Sequence, residues 1–250
     1  MSTRKSPHVV VIGAGIGGLT AGCLLLKAGM RVTVLEAHIY PGGSAGTFYH
    51  QGYRFDAGAT LAGGFGENGP HTRLAQMLGI DWPVQPVDPA WVTMIEGQAI
   101  FQWAERQKWH EEIERKFPET RAFWRVQEWL AEQAWQISAR NFPFPPQTAK
   151  DYFQIAGALR PATVVAAPFS LLTIGHLLPS SAGPELRTFL DAQLLISAQT
   201  TSRYANALYG SAALDLPRRG VNHVRGGIGS LANILAGWLT ANGGVLHYRQ

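Results

Sequence analysis

The chain has 250 residues, of which 46% are hydrophobic and 15% charged, which supports one large or two modest packed domains and excludes a disordered chain. Its pI of 9.4 rests on a net charge of only +4, with no basic stripe interleaved with aromatics, so no nucleic acid is expected as a partner and an anionic membrane surface fits better. The single cysteine, Cys23, excludes an internal disulfide and reads, beside Leu24–Leu26, as a buried thiol in a reducing compartment; the eight histidines show no ligand spacing beside cysteines or acids, so no metal is expected.

Met1–Pro7 is too short for a cleaved leader, which places the expected location in the cytoplasm or on its membrane face. Val9–Ile12 is a β-branched run suited to a strand buried on both faces, and it feeds directly into Gly13-Ala14-Gly15-Ile16-Gly17-Gly18. In such a turn Gly13 allows the tight bend, Gly15 lets the backbone approach a pyrophosphate, and Gly18 lets the next helix pack on the sheet. That helix, over Leu19–Gly29, presents unpaired N–H groups and a positive dipole to phosphate. A second strand, Arg31–Glu36, ends on a carboxylate 23 residues after Gly13, the interval at which such an acid accepts from ribose hydroxyls, with Ala37 following. Glu36 would also repel the 2′-phosphate of NADP. Pro41-Gly42-Gly43-Ser44 forms a second glycine turn, and Gly52–Thr60, with Asp56, Gly58, Ala59 and Thr60, a further close-approach segment. Asp56 is open to a plainer reading, accepting backbone hydrogen bonds in a turn.

On Gly13–Gly18, Glu36, Pro41-Gly42-Gly43, Phe55-Asp56-Ala57-Gly58 and Gly226-Gly227-Ile228-Gly229, the chain resembles the FAD-dependent phytoene desaturase and carotenoid isomerase superfamily, among the amine oxidase-like flavoproteins. Ser44, where many desaturases have arginine, resembles the small residue of carotenoid isomerases and 3′,4′-desaturases, and the segments Leu186–Gln193 and Ala207–Leu214 look most like the carotenoid 3′,4′-desaturase branch. The resemblance is patchy between Ile80 and Pro184.

It implies an α/β fold: a Rossmann-type FAD-binding domain with a parallel sheet, plus an inserted, largely helical α+β substrate domain, incomplete at the C-terminus. The divisions expected are 1–80 for the first part of the FAD domain, 81–220 for the substrate or membrane-facing domain, and 221–250 for the return. The implied cofactor is FAD, with Gly226 and Gly227 joining the residues above near it. The implied reaction is hydride removal from a carotenoid C–H by oxidised flavin, with loss of a proton from the neighbouring carbon, giving a conjugated double bond. Two alternatives stand beside it: cis–trans isomerisation with reduced flavin, and a non-catalytic FAD-binding half that needs a second chain, since family members are about twice as long and their second half holds the flavin ring.

His71–Leu78 reads as a short helix, and Asp81–Pro89 as a proline-punctuated crossover. Seven of eight tryptophans fall between Trp82 and Trp135, among amphipathic helices with thirteen charges between Glu105 and Glu132. Pro161–Pro184 contains no Asp, Glu, Lys or Arg. Pro168, Gly175 and His176 interrupt it, so two short helices forming an apolar channel or dipping into a bilayer surface are expected rather than a span, with buried helices of a large core an equal alternative. The absence of charge also argues against a polar amine as substrate. Ser230 is the expected N-cap of a helix to Asn242, ended by Gly243-Gly244, and Val245–Gln250 begins a strand.

Overall fold

A computed structural model describes residues 6–140 and 145–250. Residues 1–5 of the Met1–Pro7 segment, read above for a leader, lie outside the described residues. In chain order the elements are β1 (His8–Ile12), α1 (Ile16–Lys27), β2 (Arg31–Glu36), β3 (Thr47–His50), β4 (Tyr53–Asp56), β5 (Leu61–Gly63), α2 (Pro70–Leu78) and β6 (Val84–Val87). There follow β7 (Trp91–Ile95), β8 (Gln98–Gln102), α3 (Arg106–Lys116), α4 (Arg121–Ser138), α5 (Ala149–Ala158), α6 (Pro161–Ala166), α7 (Ile174–Leu177), α8 (Pro184–Ala198) and α9 (Ala207–Asp215). The chain closes with β9 (Val221–Val224), α10 (Gly229–Ala241) and β10 (Val245–Tyr248). These elements divide into two compact units, Met1–Val87 with Gly220–Gln250, and Asp88–Arg219.

In the first unit β1, β2 and β10 form a parallel sheet in that order. Register pairs Val11 with Val34 and Val34 with Leu246, so alternate side chains line one face. That face packs on α1 and α10, where Leu19, Cys23, Val32, Val34, Leu235 and Leu239 are buried together. Burying a leucine of this kind contributes about 2 kcal/mol. Burial also pushes the Cys23 thiol up to about 11, which keeps it protonated and unreactive.

The opposite face differs from expectation. Val9–Ile12 reads as a strand buried on both sides, yet Val10 is 51% and Ile12 88% exposed. The physical reason is that the helical layer lies on one side only, so every second residue of β1 faces outward.

A second, antiparallel sheet of order β5-β9-β6 completes the unit. Its β6 strand falls inside Asp81–Pro89, read above as a crossover. Pro86 is tolerated there because β6 is an edge strand, where a missing N–H costs no ladder bond on the outer side. Val224, Ile228 and Leu231 are buried under this sheet, against Ile16, Ala45 and Trp82.

The second unit combines the β7–β8 hairpin with α3 to α9. Its core is aromatic: Phe189 is fully buried and stacks near Trp109, Phe117 and Trp124. Pro161–Pro184 forms the short helices α6 and α7 joined by a 3-10 turn, and Val164, Val165 and Leu171 are exposed. Among the described residues, no helix is long and apolar enough to cross a membrane.

Candidate dinucleotide-binding site

The first glycine turn sits at the carboxyl end of β1. Gly13 has φ 96°, which an L side chain rarely adopts, and its N–H donates to Leu35 O at 2.7 Å, holding the turn against β2. The helix starts at Ile16, earlier than the Leu19 expected from sequence, so Gly17 and Gly18 lie in its first turn. A Cβ on Gly18 would stand 2.1 Å from the Gly13 carbonyl oxygen, so packing inside the chain demands glycine at this position.

Gly15 is different. Its φ is −68°, and a Cβ there would meet only Gly42 O, at 4.0 Å. Neither strain nor internal packing requires a glycine, and the residue is the N-cap of a 12-residue helix with no side-chain cap and no acid in its first turn. The helix thus offers unpaired N–H groups and the positive end of its dipole beside a backbone without a side chain.

Glu36 ends β2 and is only 7% exposed. Its Oε2 accepts from Ala14 N at 2.6 Å and its Oε1 from His38 N at 2.8 Å. Burial acts to raise the carboxyl, but the amides of His38 and Ala14 and the nearby His38 charge outweigh it and hold the group below the usual carboxylate range. The carboxylate is therefore aimed at the glycine turn, which it ties to β2, and exposed Ala37 follows it.

The second glycine turn is joined to the first by backbone alone. Gly42 N donates to Ala14 O at 2.8 Å, and Gly15 and Gly42 form a parallel bridge. Gly43 and Ser44 are exposed on the 3-10 turn that follows. Ala57 N then donates to Gly46 O at 2.8 Å, and Gly58 passes so close that a Cβ would lie 2.7 Å from Ser44 O. Ala59 and Thr60 are exposed and run on toward β5, outside this hydrogen-bonded group.

The third glycine segment docks on the β3–β4 hairpin. Asp56 Oδ1 accepts from Thr47 Oγ1 at 2.7 Å and from Ile228 N at 3.0 Å, while Thr47 Oγ1 accepts from Gly229 N at 2.8 Å. A Cβ on Gly227 would lie 2.6 Å from Thr47 Oγ1, and Gly226 lies beside Arg54. Thr47 and Asp56 thus cap α10 from a distant strand pair. Ser230 is not the N-cap: it lies inside the first turn, and its hydroxyl donates to Arg225 O at 3.1 Å. Thr47 is missing from the residues picked out by sequence. The sequence marks only the hairpin, through Gly52 at its turn: Gln51-Gly52 takes positive φ at both positions and sets Thr47 opposite Asp56, while nothing local marks the contact with α10.

The structure therefore gathers Gly13 to Gly18, Glu36, Gly42 to Ser44, Asp56, Gly58, Gly226 and Gly227 along one connected path of turns. Residues 11–78 match the model of the NAD(P)-binding Rossmann-like domain. Prolycopene isomerase 1 of an Oncidium hybrid cultivar is 28% identical, the match covering 96% of this chain and 42% of that protein. The 4,4′-diapophytoene desaturase (4,4′-diapolycopene-forming) of Methylomonas is 24% identical over 97% of this chain and 47% of its own length. Homologues of the chain include prolycopene isomerases and phytoene and diapophytoene desaturases. It spans less than half the length of these two relatives.

Among solved structures, the PF1083 protein of Pyrococcus furiosus superposes with a TM-score of 0.63 at 21% identity, covering 97% of this chain and 51% of that one. Putrescine oxidase bound to putrescine superposes at 0.56, with 17% identity, over 97% of this chain and 51% of its own. At these identities the likeness establishes a shared fold. The parallel sheet, the Rossmann-like domain and the mixed α/β architecture agree with the fold class read from the sequence.

Proposed function

We propose that this chain is the FAD-binding half of an oxidoreductase that acts on carotenoids. The observation that carries the reading is Gly15, a glycine that nothing within the chain requires, placed at the uncapped start of α1 where a pyrophosphate would approach. The residues fit such a group: Gly13, Ala14, Gly15, Ile16, Gly17 and Gly18 would present backbone to the diphosphate, and Glu36 with Ala37 would border the ribose. Gly42, Gly43, Ser44, Gly58, Ala59 and Thr60 would follow the extended ligand, with Gly226 and Gly227 beside it. Asp56 acts here by fixing the start of α10.

When bound, flavin would supply a hydride acceptor for a polyene C–H bond, the second hydrogen leaving as a proton, which amounts to the desaturase reaction that the name of the Methylomonas relative describes; the isomerase relatives make cis–trans isomerisation the second reading. The chain's own residues bind and orient. Glu36 is ionised at neutral pH and holds the Ala14 amide in the glycine turn. The reading includes a second polypeptide equivalent to the relatives' remaining half, and contact of the exposed α6 residues Val164 and Val165 with a bilayer surface on the cytoplasmic side.

The test is the visible spectrum of the purified chain after addition of FAD and desalting, with Gly15→Asp alongside. The expected outcome is flavin bands in the parent and none in the variant, because a side chain and a negative charge would both meet the pyrophosphate. Equal retention by the two proteins would overturn the assignment, and none by either would mean that the remaining half is required for binding.

A further inference from the structure

We propose that the second unit carries a binding site for a phosphate group, formed by Arg106, Arg218 and Arg219. These side chains, with Ala104 and Glu132, line one cavity of about 220 Å³, and all five residues belong to Asp88–Arg219. Guanidinium groups gather round a cavity only where carboxylates behind them offset their repulsion, and two buried acids do so here. Asp215 accepts from Arg218 Nε at 2.7 Å, from Arg219 Nε at 2.8 Å and from Trp135 Nε1 at 3.0 Å. Glu128 accepts from Arg106 Nη2 at 2.7 Å and from Arg218 Nη1 at 2.6 Å, with His110 Nε2 2.6 Å from the same carboxylate. Neither acid lines the cavity. Each arginine is therefore gripped from behind, and Arg219 is further held over the Trp135 ring, 5.4 Å from its centroid. Arg106 keeps Nε and Nη1, and Arg219 keeps Nη1, without a protein partner among the described residues. Of the lining residues Glu132 alone is acidic, and it engages only Nη2 of Arg219, at 2.8 Å.

Size and charge identify the class of ligand. The cavity is smaller than the roughly 300–1,000 Å³ of sites that enclose a drug-sized molecule, so it takes one compact group rather than a nucleotide or a polyene. Its lining carries three positive charges against one negative, which selects an anion. A carboxylate offers two oxygens and is served by a single guanidinium fork, whereas the tetrahedral oxygens of phosphate can accept from several arginines at once. Because the arginines are already held in place, binding costs little further side-chain ordering. The phosphate is either the free ion or a phosphomonoester lipid headgroup. None of these residues belongs to the glycine path, so the proposal stands apart from the dinucleotide reading.

Two assays on the full chain test it: calorimetric titration with inorganic phosphate, and flotation with phosphatidylcholine vesicles made with or without phosphatidic acid. Each is run on the parent, Arg106→Gln, Glu132→Gln, Arg125→Gln and Gly15→Asp. Arg125 is an exposed α4 arginine outside the cavity, so its variant removes the same charge elsewhere. The expected result is binding in at least one assay, weakened at least about tenfold by Arg106→Gln, the scale of one charge-assisted hydrogen bond. Glu132→Gln should strengthen it several-fold, a gain that loss of folding cannot produce, while Arg125→Gln and Gly15→Asp should leave it unchanged. Saturable heat with inorganic phosphate would assign the free ion; flotation that requires phosphatidic acid, without such heat, would assign the lipid headgroup. No binding in either assay, equal weakening by Arg106→Gln and Arg125→Gln, or no gain in Glu132→Gln would overturn the site. Binding lost in Gly15→Asp but kept in Arg106→Gln would place the anion at the glycine turn and overturn it as well.

Discussion

The two units are held by different means. In the first, the decisive contacts always involve backbone: Gly13 to Leu35, Gly42 to Ala14 and Ala57 to Gly46 join main chain to main chain, and the α10 amides donate to the Thr47 and Asp56 side chains. In the second they run through side chains. Its aromatic core centres on Phe189, and its charges form a connected set in which Asp215, 1% exposed, accepts from Arg218, Arg219 and Trp135. Glu128 in turn takes Arg106, His110 and Arg218; burial acts to raise its carboxyl, and these partners outweigh burial and lower it. Backbone contacts at glycines restrict which residue can occupy a position, whereas a packed core accepts many apolar combinations of the right volume. The first unit is therefore the one whose sequence carries a readable motif.

Phe189→Ala should break this contrast most strongly. A fully buried phenylalanine amid Trp109, Phe117 and Trp124 should cost about 3–5 kcal/mol when truncated. Six of the eight tryptophans lie in Asp88–Arg219, so the tryptophan fluorescence transition in urea reports mainly on that unit. The midpoint is expected to fall sharply, while flavin retention by the first unit changes little. A shift below about 1 kcal/mol would mean the aromatic cluster is not what holds the second unit.

Thr47→Val sharpens the other side with a smaller effect. The variant keeps the volume and removes both the acceptor for Gly229 N and the donor to Asp56, a loss of about 1–2 kcal/mol on the scale of helix caps. Amide hydrogen exchange at Ile228 and Gly229 should accelerate, and Thr47→Ser should restore protection. Unchanged exchange in the valine variant would show that the hairpin does not cap α10.

How much was legible follows the same division. The order strand, glycine turn, helix, strand and terminal acid could be read over Val9–Glu36 because each step has a narrow chemical requirement, and the α/β class followed from it. Thr47 escaped because a threonine in an exposed-looking hairpin carries no mark of a helix about 180 residues away. Ser230 misled because a local rule for N-caps cannot register that Asp56 and Thr47 already serve those amides. The burial of β1 was overestimated because a β-branched run records the faces a strand is built for, and only one is covered by these residues. In the second unit, the arginines and acids of the Asp215 cluster come from α3, α4, and α9 with the turn after it, and no spacing rule links them.

The smallest effect lies at Glu36 and concerns acid stability. Its folded carboxyl titrates below the ordinary glutamate value of about 4.3, so the folded state favours the ionised form. The stabilisation is fully present above that ordinary value and is lost as pH falls through the lowered folded value, because the unfolded state then binds the proton first. Stability of the first unit, followed by flavin release or by exchange at Ala14 N, should therefore decline on the acid side more steeply in the parent than in Glu36→Gln. The variant should also be weaker at neutral pH, since a neutral amide is a poorer acceptor for Ala14 N and His38 N than a carboxylate. Parallel pH profiles for the two proteins would mean that the carboxylate does not hold the glycine turn to β2, and that the turn's geometry rests on Gly13 and Gly42 alone.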